Sequence, residues 1–403
     1  MTAPLSGVRV LDLSRVLAGP WASQTLADLG ADVIKIERPG SGDDTRAWGP
    51  PYARDATGLE TTESAYFLAA NRGKKSVTID IASAEGQSLV SALAEQSDVV
   101  IENFKVGQLA KYGLDAASFR ALNPRLIYCS ITGFGQTGPY RDLPGYDFLI
   151  QGMGGLMSLT GEANGAPMKT GVAIADLFAG MYATVAILAA LNRRHATGAG
   201  ETIDISLLDC QLAMLANQAM NYLATGIAPH RRGNAHPNIV PYEAFATTDG
   251  HIILAVGNDT QFAAFTTTAG NPEWAHDPRF ATNPARVQNR ETLSALIADV
   301  IAARTTADWL AALARMNVPA GPINTLDQAF ADPQAQARGV VQSLPHPTAG
   351  AVPSVMSPIR YADAAPSALA APPTLGQHTD DVLGARLAIS PAEIAALRAR
   401  GVI

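Results

Sequence analysis

The sequence predicts an α/β protein with a Rossmann-like, doubly wound large domain and a smaller α+β domain. Three observations carry that prediction. Residues 1–135 alternate short apolar runs with helix-like segments, the pattern of a mostly parallel sheet covered on both faces. After about residue 240 the pattern changes to a hairpin followed by helices. At 403 residues the chain exceeds the roughly 250–300 that one core usually serves.

The elements follow in order. "VRVLDL" (8–13) reads as the first strand, and "AGPWASQTLADLG" (18–30) as a helix with Pro20 in its first turn and Gly30 at its end. "DVIKIE" (32–37), "KSVTIDI" (75–81), "DVVIENF" (98–104) and "RLIYCSITG" (125–133) read as further strands, with a helix at 84–96. Ligands of doubly wound sheets gather beyond the C-terminal strand ends, here "SRVLAGP", "ERPG", "ENFKVG" and "TGFGQTG". The sequence contains neither G-x-G-x-x-G after the first strand nor a P-loop, so the usual nucleotide fingerprints are absent. Residues 172–223 read as two helical pieces split by a turn and a short strand within 193–206. "YEAFATTDGHIILAVG" (242–257) reads as a hairpin about Asp249-Gly250, with helices at 258–268, 290–303 and 306–316. The Pro- and Ala-rich stretch after 345 reads as a return segment, and Ser390 with Glu393 starts a final helix at capping-box spacing. The expected division is a large domain over 1–200 completed by 345–403, a small domain over 225–330, and linkers at 201–224 and 331–345.

Composition narrows the function. Charged residues make up 16% and apolar residues 47%, which favours a large core over disorder. A net charge of −7 gives no pull toward nucleic acid or anionic membrane. Two cysteines, Cys129 and Cys210, suit a reducing compartment and exclude a disulfide framework. The N-terminal residues lack a signal-peptide pattern, so a cytoplasmic location is expected. None of the seven histidines sits at metal-ligand spacing, so no metal is expected.

The run Val172–Leu191 is almost wholly apolar and carries one charge, Asp176. A carboxylate at mid-bilayer costs about 2.5–3.5 kcal/mol, which favours a buried helix of a soluble fold over a membrane span. An acid there either pairs with a buried cation or does chemistry. Around it, basic residues cluster near the expected strand ends: Arg15, Arg38, and Arg72, Lys74 and Lys75 in "NRGKKS".

The motifs "LDLSRVLAGP", "LGADVIKIERPGSGD", "NRGKKSV", "ENF", "SITGFGQTGPY", "PGYD", "GVAIADLFAG", "TGAGETIDISLLD" and "LGQHTD" occur in this order from Leu11 to Asp380. In them the chain resembles the class III CoA-transferases, a family that includes formyl-CoA and succinyl-CoA:glutarate transferases and the related alpha-methylacyl-CoA racemase. The resemblance implies two domains with both termini in the large one, and an interlocked homodimer threaded like linked rings. It implies acyl-CoA and a small carboxylate as substrates, with no permanently bound cofactor. Asp176 matches the family's nucleophile, which forms a mixed anhydride and then an aspartyl-CoA thioester. An ionised carboxylate at neutral pH suits that task, and small neighbours Ala175, Ala179 and Gly180 are expected to leave room for the acyl group.

Further roles follow from the resemblance. Gly135 and Gln136 in "TGFGQTG" are the expected oxyanion donors. Arg15, Leu17, Ala18, Arg38, Arg72, Lys74, Lys75, Asn103, Phe104, Lys111, Thr132 and Phe134 are expected around CoA, with Lys111 where many relatives have arginine. Trp48, Asn234 and His236 are expected at the substrate, with Arg231 or Arg232 as alternatives to His236 for a distal carboxylate. Tyr146 stands in "PGYD" where racemase-type relatives have histidine. A racemase needs an acid and a base flanking the α-carbon, so Tyr146 favours a transferase. After Gly233-Asn234 the sequence runs "AHPNIVPYEAF" where formyl-CoA transferases have glycines, which favours a dicarboxylate with succinyl-CoA as donor. The alternatives are an isomerase of CoA thioesters and a non-catalytic CoA-binding protein.

Overall fold

In the computed structural model, which describes residues 2–364 and 370–403, six parallel strands form one sheet. They are β1 (Arg9–Asp12), β2 (Asp32–Glu37), β5 (Lys74–Thr78), β6 (Val99–Glu102), β7 (Ile127–Thr132) and β8 (Glu201–Ser206), in the order β5-β2-β1-β6-β7-β8. Counted along the chain this is 3-2-1-4-5-6, the dinucleotide-fold order, so the topology reverses between β1 and β6. The strands read as continuous apolar runs because both faces are covered. One face packs Val10, Val33, Val99, Ile127 and Cys129 under α1 (Ala18–Asp28) and α7 (Ile174–Thr197). The other packs Leu11, Ile34, Val77, Val100 and Tyr128 under α3 (Ala84–Glu95) and α4 (Ala116–Leu122). The C-terminal helices α16 (Thr379–Leu387) and α17 (Pro391–Ala399) complete that second layer through Leu383 and Leu397.

This sheet belongs to a unit made of Met1–Gly154, Gly171–Met214 and Gln334–Ile403. It also holds a hairpin of β3 (Tyr52–Arg54) and β4 (Glu60–Ser64), the short helices α2 (Ala65–Ala69) and α5 (Asp147–Met153), and a β12 (Val341–His346)–β13 (Gly350–Val355) hairpin. The second unit, Gly155–Thr170 with Leu215–Pro333, has its own core around Phe245, Phe262, Ile297 and Trp309. Its sheet orders β11 (Ala320–Pro322), β10 (His251–Ala255) and β9 (Tyr242–Ala246), flanked by α10 (Asp259–Ala269), α12 (Arg290–Ile301) and α13 (Thr306–Arg315).

Two expectations need correction. Residues 201–224, expected as a linker, supply the edge strand β8, then α8 (Leu207–Met214) and α9 (Ala216–Thr225). The alternation in "ETIDIS" places Ile203 and Ile205 against the core, and Ile127–Thr132 offers the ladder. Second, α7 is not buried all round. Ala175, Ala179, Ala183 and Ile187 are buried, whereas Phe178, Met181, Tyr182 and Val185 are exposed. Residues 365–369 of the return segment lie outside the described residues.

Candidate active site

The loops leaving β1 and β6 part where the topology reverses, and a cleft of about 960 Å³ opens there. Val16, Leu17, Ala18, Asn103, Gly133, Tyr146 and Asp176 line it. An adjoining cleft of about 630 Å³ lies over the ends of β1, β2 and β5, between Leu13, Arg38, Ile79 and Ile81. Arg15 and Phe104 border both, and the Arg15 guanidinium sits 5.4 Å from the Phe104 ring centre.

Asp176 stands in the first turn of α7. A helix N-terminus ordinarily favours a carboxylate. Here burial, reinforced by the Asp147 carboxylate, pushes Asp176 up to about 7. Among the described residues no hydrogen bond reaches its side chain, so its oxygens are left to the cleft. Asp147 opens α5. Its Oδ1 accepts the Ala175 N–H at 2.9 Å and its Oδ2 accepts Gln151 Nε2 at 2.8 Å, which ties α5 to the start of α7. That tie depends on two glycines. A Cβ on Gly133 would stand 2.5 Å from the Gly145 Cα, so only bare backbone lets the β7 loop and the α5 lead-in touch. Trp48 packs edge-on against Tyr66 at 5.1 Å, and the Tyr66 phenol is pushed up by burial and then by the Asp176 charge.

The family model described as CoA-transferase family III matches residues 5–379. The chain belongs to CoA-transferase family III. A succinate–glutarate CoA-transferase of Agrobacterium fabrum is 53% identical over 380 residues, 94% of this chain and 95% of that one. The Mus musculus succinyl-CoA:glutarate CoA-transferase is 44% identical over 401 residues, 99% of this chain and 90% of that one. A crystallised CAIB/BAIF family protein from Brucella suis superposes with a TM-score of 0.83 at 52% identity, covering 96% of this chain and all of that one (100%).

In this CoA-transferase, Arg15, Leu17, Ala18, Asn103, Thr132, Tyr146 and Asp176 come together at one cleft, and Arg38 and Phe104 at its neighbour. Arg38 is exposed and has no ion-pair partner among the described residues. Lys111 lies exposed on a 3-10 turn outside the lining of both clefts. Phe134 packs edge-on against Tyr140 at 5.6 Å. Asn234 and His236 belong to the second unit, where Asn234 is exposed and His236 Nδ1 accepts the Asn238 N–H at 3.1 Å. Arg231 there donates to the Gly165 carbonyl at 2.7 Å.

Several of the expected groups are engaged within the fold or differ in charge from what was expected. Lys74 is fully buried and held by Asp12 at 3.1 Å and Asn71 at 2.8 Å, and Arg72 by Asp28 at 2.5 Å, so these cations are already neutralised inside the fold. Lys75 pairs with Asp32 at 2.6 Å. "NRGKKS" enters β5 rather than leaving it, which puts it at the wrong end of the strand. The Gly135 N–H is used by Thr132 Oγ1 at 3.0 Å, the Gln136 N–H by Asp204 at 2.9 Å, and Gln136 Nε2 by Ser130 Oγ at 3.0 Å. Neither residue has a backbone donor left for an oxyanion. The small residues along α7 serve packing: a Cβ on Gly180 would meet the Ala18 carbonyl at 2.6 Å. Finally, Asp176 near 7 is not fully ionised at neutral pH.

Four residues escape the sequence reading. Ile79 and Ile81 lie just beyond the C-terminal end of β5, and the rule that selects Arg38 selects them too. Asp147 lies in the "PGYD" motif beside the noted Tyr146. Tyr66 sits on the short helix α2 and has no motif to mark it.

Proposed function

We propose that this transferase moves CoA from succinyl-CoA to a short dicarboxylate, glutarate foremost, with Asp176 as covalent nucleophile. The single supporting observation in the fold is a carboxylate in a cleft at the sheet's reversal point with no partner of its own. The names of the relatives support the substrates: succinate–glutarate, and succinyl-CoA–D-citramalate for a Chloroflexus aurantiacus protein 37% identical over 406 residues.

The steps balance without any external proton. An Asp176 oxygen attacks the thioester carbonyl and expels the CoA thiolate, leaving a mixed anhydride. The thiolate attacks the aspartyl carbonyl, releases succinate and forms the aspartyl-CoA thioester. The acceptor carboxylate attacks that thioester, and the thiolate returns to the acceptor's acyl carbon, regenerating Asp176. Each addition builds negative charge on a carbonyl oxygen, and exclusion of water protects the anhydride.

An interlocked homodimer belongs to the same proposal. Phe148, Leu149 and Met153 on α5, and Phe178, Met181, Tyr182 and Val185 on α7, are exposed large apolar side chains on two neighbouring helices, which suits subunit contact.

The test is mass spectrometry of the protein mixed with succinyl-CoA and digested quickly at mildly acid pH. The expected result is CoA joined as a thioester to the peptide bearing Asp176, and its loss in Asp176→Asn. Absence of the adduct, with deuterium entering the acyl α-carbon in heavy water, would transfer the chain to the isomerase branch.

A further inference from the structure

The loop between β1 and α1 contains a β-branched residue in the left-handed region: Val16 has φ +71. Such a conformation is strained for a β-branched residue and persists only where the surroundings impose it. The surroundings here are specific. The Val16 N–H donates to both Asp43 oxygens, at 3.2 and 3.3 Å. Asp43 is in turn fixed by the Thr45 N–H at 3.0 Å, by Thr45 Oγ1 at 2.8 Å, and by Lys35 Nζ at 2.8 Å. The Lys35 and Asp43 side chains are both 0% exposed. Lys35 also donates to the Ser14 carbonyl at 2.7 Å. One residue on, Asn103 brackets Arg15, accepting its N–H at 2.8 Å and donating to its carbonyl at 2.7 Å. The backbone from Ser14 to Val16 is thus gripped by three side chains, Lys35 within β2, Asp43 beyond it and Asn103 beyond β6, and the residues it delivers, Leu17 and Ala18, form a wall of the cleft that holds Asp176.

We propose that Asp43, backed by Lys35, is a positioning residue for CoA transfer: it holds Val16 in its strained conformation and so sets the wall that Val16, Leu17 and Ala18 give to the cleft of the reacting carboxylate. A surface turn does not need a buried ion pair to shape it, and a buried ion pair does not need to spend a carboxylate on a strained amide. Asp43 does both. Its carboxyl is held down at about 2 by the Lys35 charge and the Thr45 and Lys35 hydrogen bonds, against the opposing effect of burial, so the grip is charged at every working pH.

The inference rests on Asp176 being the reacting group, and the experiment separates the two claims. Succinyl-CoA-dependent transfer is measured for the full chain and for Asp43→Asn, Val16→Pro, Asp43→Asn with Val16→Gly, and Asp176→Asn. Proline fixes φ near −65° and removes the N–H, yet leaves the Lys35–Asp43 pair intact. Asp43→Asn and Val16→Pro are each expected to lose about 100-fold in kcat, the scale of a small misplacement of reacting groups. KM for succinyl-CoA should change less. Glycine at 16 takes positive φ without penalty, so the double variant should recover at least about tenfold over Asp43→Asn. A merely structural Asp43 predicts no rescue. Wild-type kcat in Val16→Pro, or a double variant no better than Asp43→Asn, overturns the proposal. If Asp43→Asn does not fold, Val16→Pro decides. Activity in Asp176→Asn instead sinks the assignment of the nucleophile.

Discussion

Asp12 and Asp176 are both aspartates in the larger unit, and their environments push them in opposite directions. Asp12 is completely buried, yet Lys74 and Lys35, with the Ser14 and Ser23 hydroxyls, hold it below its ordinary value against the cost of burial. Asp176 is less buried, yet it rises to about 7 because no cation or donor compensates it and Asp147 adds a second negative charge. The difference teaches how to tell scaffold from site in this fold. Scaffold charges come with partners supplied by neighbouring strands. The site charge is left uncompensated, and the fold bears that cost.

The largest test of this contrast removes a scaffold partner. Lys74→Ala takes the ion-pair partner from Asp12, leaving it Lys35, Ser14 and Ser23, and takes the Nζ donor from Asn71 Oδ1. Breaking a buried pair from one side costs about 3–5 kcal/mol, so a large fall in the thermal midpoint is expected. A drop of only a degree or two would mean the pair carries little.

Asp176→Asn should do the reverse. A carboxyl raised from 3.8 to about 7 binds protons more tightly in the folded state than in the unfolded one, so folding weakens as pH rises between those values. The asparagine variant escapes this. It should gain on the order of 4 kcal/mol at pH 8, with the gain vanishing near pH 4, while transfer is lost. Denaturant titrations at the two pH values check it, and equal stability of the two proteins at pH 8 would contradict the assigned environment.

Asp147→Asn probes the electrostatics directly. It removes the second cause of the Asp176 shift while leaving an oxygen able to accept the Ala175 N–H. In the proposed mechanism only ionised Asp176 attacks, so the rate of wild-type acylation should rise with pH through about 7. In the variant that limb should move to lower pH. A limb that stays in place would leave burial as the sole cause.

The same contrast explains what the sequence made legible. Five of the six strands, β1, β2, β5, β6 and β7, and their mostly parallel arrangement could be anticipated, because apolar runs separated by helix-length segments admit few other folds. The short strand expected within 193–206 is β8, but its place in this sheet was hidden by the acids in "ETIDIS", since an edge strand buries one face only. Asp176 was legible because it is the one charge in a long apolar run. Lys74 and Arg72 misled for a related reason. A basic residue advertises its charge in one dimension but not its partner, and Asp12 and Asp28 lie 62 and 44 residues away. The donors of Gly135 and Gln136 misled likewise: a glycine-rich loop shows what can approach it, not which amides its own neighbours, Thr132 and Asp204, have already taken.

The smallest expected effects divide the cations on the sheet's two ends. Lys75 pairs with Asp32 where β5 begins, and its side chain is 42% exposed. An exposed pair of this kind contributes about 0–1 kcal/mol, so Lys75→Ala should barely move stability and should leave KM for succinyl-CoA unchanged. Arg38 follows the C-terminal end of β2, borders the cleft with Ile79 and Ile81, and has no ion-pair partner among the described residues. A guanidinium there is placed to meet a phosphate with two parallel hydrogen bonds. Arg38→Ala should therefore raise KM for succinyl-CoA by about tenfold, the equivalent of one charge-assisted hydrogen bond, with a folded stability like that of the parent. The acceptor's KM should not follow. If instead Lys75→Ala raised KM and Arg38→Ala did not, the nucleotide end of CoA would have to be sought where the strands begin, and the cleft over β1, β2 and β5 would lose its part in binding.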